Sequence, residues 1–151
     1  MSVDRSFIGA AMPPFEVEVE KGTIRRFAEA IGDDNPLYHD EPYAQSRGFA
    51  SLVAPPTFAA SFRPPTRQPW LVPLDEGRIL AGEQAFINRR RLVAGDALRC
   101  QMHLVDITEK EGRSGRLEFI IQELRAHDGA GELVVTNRRV VIYRAPGTLG
   151  A

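Results

Sequence analysis

From Arg78 to Arg144 the chain is four long alternating segments cut by three turn signals, and no other feature restricts its fold so strongly. "RILAGEQAFINRRRL", "DALRCQMHLVDITEK", "GRLEFIIQELRAH" and "ELVVTNRRVVIYR" are divided by "VAGD", "EGRSG" and "DGAG". Each divider sets Gly beside Asp, Glu or Ser, residues that reach the backbone angles of tight turns at little steric cost. Segments joined by such short turns run antiparallel. In the second segment Leu98, Cys100, Met102 and Leu104 alternate with Arg99, Gln101 and His103, so one face is apolar and the other wetter. A half-apolar sheet needs a cover, and only the upstream part of the chain offers helical material for one. The expectation is an α+β domain, a curled antiparallel sheet wrapped around helix, occupying 1–151 with its core at about 15–144.

Upstream, "FEVEV" at 15–19 reads as a short edge strand with Phe15, Val17 and Val19 on one face. In "KGTIRRFAEAIG", Ile24, Phe27, Ala28 and Ile31 fall at helical spacings and Gly32 is the stop. "DEPYAQSRG" reads as a capped turn of helix ended by Gly48, and "APPTFAASF" as a helix begun by proline. "RPPTRQPW" must be loop, because the prolines between Pro64 and Pro73 deny both helix and sheet. The final "APGTLGA" reads as a frayed tail.

Charge excludes several function classes. The 19 basic and 20 acidic side chains leave a net charge of -1, which argues against a broad nucleic-acid or membrane footprint. No apolar run approaches a membrane span and the first residues lack a signal-peptide pattern, so a soluble, cytoplasmic protein is expected. The single Cys100 lies at an apolar position of an alternating segment and reads as a buried thiol. His39, His103 and His127 have no metal-ligand spacing; His103 reads as a surface residue and His127 as part of a hairpin turn. No metal is expected. With no phosphate loop or dinucleotide fingerprint, no cofactor is expected either.

The densest polar cluster is "AIGDDNPLYHDEP", residues 30–42. An Asp shortly before an imidazole on a loop leaving a buried helix can hold a water between two titratable groups. One takes a proton from the water while the other delivers a proton to an adjacent carbon. The same letters also spell a helix stop and an Asx turn, since Asp and Asn bond local backbone and Pro blocks continuation.

"AIGDDNPLYHD", followed by "GFASLVAPPTF", "GEQAFINRRRLVAGDAL" and "DGAGELVVTNRRVVIYR", resembles the MaoC-like dehydratases of the hot-dog fold. It looks most like their N-terminal-half, fatty-acid-synthase-type subgroup, over about Phe15 to Arg144. The resemblance implies a sheet around a central helix, paired with a second hot-dog unit as homodimer or heteromer. It also implies hydration of trans-2-enoyl thioesters of coenzyme A or acyl carrier protein, or dehydration of the (R)-3-hydroxy forms. Two further readings remain open: a non-catalytic acyl-binding subunit of a heteromeric dehydratase, and an acyl-CoA thioesterase.

The family's loop is Gly-Asp-x-Asn-Pro-x-His. Gly32, Asp33, Asn35 and Pro36 match it, but Tyr38 stands at the histidine position and His39 falls one residue late. Tyr38, with an ordinary pKa near ~10, is a poor base at neutral pH. Asp34 and His39 reproduce the family's interval, yet Asn35-Pro36 anchors the register on Asp33. Asp33 is thus the implied water-holding carboxylate, Tyr38 or His39 the disputed second group, and Asn35 the residue that fixes the loop. The resemblance also implies a backbone N–H that receives the thioester carbonyl at the start of the following helix. Pro56, which has no N–H, occupies that place, leaving Thr57 as the candidate donor. Arg89, Arg90 and Arg91, with Arg138 and Arg139, either receive coenzyme A phosphates or a carrier protein's acidic face, or form a solvated strand face.

Overall fold

A computed structural model describes residues 1–113 and 115–147. Five strands form one antiparallel sheet: β1 (Phe15–Glu18), β2 (Ile79–Asn88), β3 (Ala97–Gly112), β4 (Gly115–His127) and β5 (Leu133–Arg144), in the order β1-β3-β4-β5-β2. The four alternating segments are the four long strands, and β1 lies at one edge as its acidic alternation suggested. Register shifts at Ala81/Glu83, Leu104/Asp106 and Ala126/His127 mark irregularities that bend strands and curl the sheet.

The concave face carries the core. Leu98, Cys100, Met102, Leu104 and Ile107 from β3 and Ile120, Leu124 and Ala126 from β4 are buried there. Helix α1 (Lys21–Ala30) contributes the buried Ile24 and Ala28 to the same core. Upstream of β1, residues 9–12 run along β3: Gly9 N donates to Leu104 O (2.9 Å) and Met12 N to Met102 O (2.9 Å). The amide of Val3 donates to the buried Glu118 carboxylate (3.0 Å), tying the N-terminal segment to β4.

The structure corrects several expectations. The helix expected over "APPTFAASF" is a single 3-10 turn, Phe58–Ser61. Prolines 55–56 and 64–65 bracket the stretch, and each biases the residue before it away from helix. Arg139 then takes the Ala59 and Phe62 carbonyls as hydrogen-bond acceptors (3.0 and 2.7 Å). The hollow of the sheet is therefore filled by α1 together with the irregular 51–74 segment. His127 is the last residue of β4, paired with Arg99 and Leu133, rather than a turn residue. His103 is half-buried beside Ala11, and burial first, then the Arg125 charge, push its imidazole below the ordinary value. Ala145, expected in a frayed tail, is buried and donates its N–H to Arg116 O (3.0 Å). The rest of that tail from residue 148, and Ser114 of the "EGRSG" turn, lie outside the described residues.

Candidate functional site

The loop after α1 is built from hydrogen bonds that its sequence spells out. Gly32 has φ +70°. It ends the helix in a Schellman arrangement: Gly32 N donates to Glu29 O (3.1 Å) and Asp33 N to Ala28 O (2.9 Å). Asp33 Oδ1 then accepts from Asn35 N (3.0 Å), and Asn35 Oδ1 accepts from Leu37 N (3.0 Å). Pro36 opens a 3-10 turn, Pro36–Tyr38, and Asp40 caps helix α2 (Glu41–Ser46) by accepting from Tyr43 N (3.1 Å). Asp33 and Asn35 are thus both turn-forming residues, whatever else they do. Asp34 is exposed.

The two disputed groups face different surroundings. Tyr38 is only 4% exposed. Burial, followed by the negative charge of Asp33, raises its phenol above the ordinary 10.0, with Arg91 pulling the other way. A phenol raised in this way stays protonated at neutral pH, so Tyr38 can donate a proton or hydrogen bond but cannot accept a proton from water. His39 turns back on the loop, its Nε2 lying 3.0 Å from the Asp33 carbonyl oxygen. A carbonyl has no proton to give, so Nε2–H is the donor and the neutral ring's lone pair sits on Nδ1.

A cleft of about 270 Å³ opens beside this loop, lined by Ala54, Pro55, Pro56 and Phe58 on one wall and by Asn88 and Arg91, among others, on the opposite one. One wall is tied to the loop by Val53 N donating to Leu37 O (2.9 Å), and Ala54 N donates to Leu92 O (2.8 Å) across the cleft lining. Pro56 lines the cleft and its carbonyl accepts from Asn88 Nδ2 (2.8 Å). Thr57 is exposed at the start of the 3-10 turn. Its N–H and hydroxyl donate to no described residue. Asp33, Tyr38 and His39 do not line the cleft; the link between loop and cleft is Arg91, which lines the cleft and acts electrostatically on Tyr38. Asn88 was not singled out in the sequence. It is exposed, and the only signal in the sequence is its place two residues from Phe86 on the same strand face.

The arginines separate into distinct environments. Arg90 is clamped by Asp96 (2.8 and 3.2 Å), which also accepts from Val93 N (2.9 Å) and so closes the turn between β2 and β3. Arg91 is exposed and lies 5.9 Å over the Phe49 ring. Arg89 and Arg138 are exposed, whereas Arg139 points inward.

A curled antiparallel sheet with a Gly-Asp-x-Asn-Pro loop leaving its covering helix defines a hot-dog chain of the dehydratase and hydratase class. The chain belongs to the FAS1-like dehydratase domain region family, whose model matches residues 6–137. A UPF0336 protein of Streptomyces avermitilis is 37% identical over 96% of this chain and 97% of its own length. One from Thermobifida fusca is 34% identical over 99% of each. Among solved structures, a chain of the HadBC (3R-hydroxyacyl-ACP dehydratase) complex of Mycobacterium tuberculosis superposes with TM-score 0.77 and 25% identity, over 90% of this chain and 96% of that one. The (R)-hydratase of A. caviae involved in PHA biosynthesis gives TM-score 0.65 at 18% identity, over 92% and 96%, a likeness of fold.

Proposed function

We propose that this chain is the acyl-thioester-binding half of a heteromeric hydratase or dehydratase, and that a second hot-dog chain supplies the working acid–base pair. The reaction is reversible addition of water to a trans-2-enoyl thioester. A base takes one proton from water, the hydroxyl bonds to the β-carbon, and the α-carbon receives a proton as the double bond is lost. One observation carries the reading. The position that the resemblance gives to histidine holds the buried, protonated Tyr38, while His39 commits its Nε2–H to the Asp33 carbonyl. Tyr38 thus gives water no base, and the His39 nitrogen that faces Asp33 is occupied by the backbone carbonyl. Pro56 adds to this, because the place of the thioester-binding N–H has none, leaving the N–H of its neighbour Thr57 as the donor.

The partner reading also draws on β2, an edge strand exposed along most of its length, with Leu80 48% and Ile87 59% exposed. An unpaired edge with apolar side chains is an invitation to another strand. A chain similar to this one comes from a complex, HadBC, and another, at TM-score 0.74 and 24% identity, from the ChsH1-ChsH2 complex of Mycobacterium tuberculosis. A self-sufficient hydratase is the second reading, favoured by the lone pair that His39 Nδ1 keeps free while Nε2–H bonds the Asp33 carbonyl.

The test follows loss of the conjugated double bond of a short trans-2-enoyl-CoA. The purified chain alone is expected to be inert, and mixing with a hot-dog homologue bearing an intact Gly-Asp-x-Asn-Pro-x-His is expected to give turnover. Turnover by the chain alone would support the second reading. Release of free thiol would instead identify a thioesterase.

A further inference from the structure

A row of polar side chains crosses one face of the sheet, from the exposed Gln84 on β2 to the buried Gln122 on β4. Register places Gln84 of β2 and Gln122 of β4 on either side of Arg139 of β5. Directly paired residues project to the same face, and this face is the concave one. Gln122 is 1% exposed and accepts from Nε1–H of Trp70, itself 1% exposed. One register level nearer the cleft, the fully buried Asn137 donates to Gln84 Oε1 and Ala85 O (both 3.3 Å) and accepts from Arg139 Nε. Arg139 also donates to Ala59 O and Phe62 O, so the row is bonded to the 3-10 turn that forms the cleft wall.

The row separates two apolar regions. On the cleft side lie Val135, Leu124 and Ala126; beyond it lie Ile120, Val141 and the buried Tyr143. Asn88 lines the cleft, and Phe86, two residues further along β2, is paired with the buried Asn137, which is roughly 7 Å of strand. A hydrocarbon chain entering from the cleft along the concave face meets bonded amides and a guanidinium at that depth. It can satisfy none of them, and passing them would leave their donors and acceptors unpaired. Trp70 fills the remaining space above Gln122.

We infer that Gln84, Asn137, Gln122, Arg139 and Trp70 form a polar bulkhead that limits the bound acyl group to short chains. The inference rests on the thioester-binding reading above. Its consequence is a ceiling on the reward for chain length. In an open apolar channel each further buried methylene strengthens binding about fourfold; with the bulkhead in place that gain stops within the cleft.

The experiment is calorimetric titration of the purified chain with butyryl-, octanoyl- and dodecanoyl-CoA. Butyryl-CoA is expected to bind, with octanoyl- and dodecanoyl-CoA gaining no more than about tenfold over it in all, against about fourfold for every methylene in an open channel. In the double variant Trp70→Ala with Gln122→Ala, which removes both partners of one bond and leaves neither orphaned, dodecanoyl-CoA is expected to gain at least about tenfold over its affinity for the natural chain. A full per-methylene gain up to dodecanoyl-CoA in the natural chain overturns the bulkhead and leaves thioester binding intact. A folded variant with no long-chain gain also overturns it. Failure of all three ligands to bind overturns the thioester reading and the inference together. Where the variant does not fold, the natural chain's length series decides.

Discussion

Asp33 serves as a hydrogen-bond acceptor for Asn35 N (3.0 Å), and the turn needs that acceptor but not the charge. Asp33→Asn keeps an oxygen in place and is expected to leave stability nearly unchanged, whereas Asp33→Ala is expected to cost about 0.5–1.5 kcal/mol in urea denaturation. Catalysis by Asp33 would order the variants differently, since both remove the carboxylate. Tyr38 makes a second separation possible. Its phenol is raised, so folding favours the protonated form. The unfolded chain loses that proton near 10.0 while the folded chain keeps it, so Tyr38's contribution is intact below that pH and lost as pH rises through the folded value. Absorbance titration of the natural chain is expected to show a phenol, absent from Tyr38→Phe, that ionises above the ordinary value. At this scale the sequence was informative about the turn and ambiguous about the chemistry. Asp-x-Asn-Pro dictates local hydrogen bonds, but where an imidazole one residue late will point depends on the whole loop, and here it points back to Asp33 O.

Among elements, the strands were legible because a period of two and Gly-bearing turns are local signals that the sheet reinforces. The covering helix was not. Between Pro55-Pro56 and Pro64-Pro65 only one 3-10 turn forms, and its shortness also reflects Arg139 arriving from β5 to take the Ala59 and Phe62 carbonyls, a contact between residues 80 and 77 positions apart. Run-of-arginine sequences are equally opaque until register is known. Arg90 holds the β2–β3 turn through Asp96, while Arg138 faces solvent. Asp96→Ala is expected to cost about 1–3 kcal/mol, because it removes a charge-assisted pair, only partly screened by water, and the acceptor of Val93 N. Arg138→Ala is expected to change stability by less than about 0.5 kcal/mol. Chemical denaturation of the two variants side by side checks the contrast. Gly82 lies in β2, where a Cβ would meet Val140 O at 2.9 Å and Ile142 Cγ1 at 3.0 Å, beside the β2 register shift. Gly82→Ala is expected to lose about 1–3 kcal/mol.

For the whole molecule, the sheet's two edges differ in finish. At one, the short β1 is continued along β3 by the N-terminal segment, and the other, β2, presents an exposed ten-residue strand. The proposed partner belongs on that second edge. Ile87→Asp is expected to weaken assembly with a hot-dog partner at least tenfold in sedimentation, while leaving the fold of the isolated chain unchanged. The class of protein was legible from the order of four motifs along the chain. The proposed division of labour was not, because it depends on which nitrogen of His39 is occupied, on the burial of Tyr38 and on the proposed partner chain.

In the proposed assembly this chain binds while another chain performs the acid–base chemistry. The decisive measurement is turnover of a trans-2-enoyl-CoA by the assembled complex carrying Asp33→Asn in this chain, with the partner's own motif intact. Turnover within about twofold of the natural complex is expected. A loss of two or more orders of magnitude, with assembly and substrate affinity unchanged, would place Asp33 in the chemistry and contradict it.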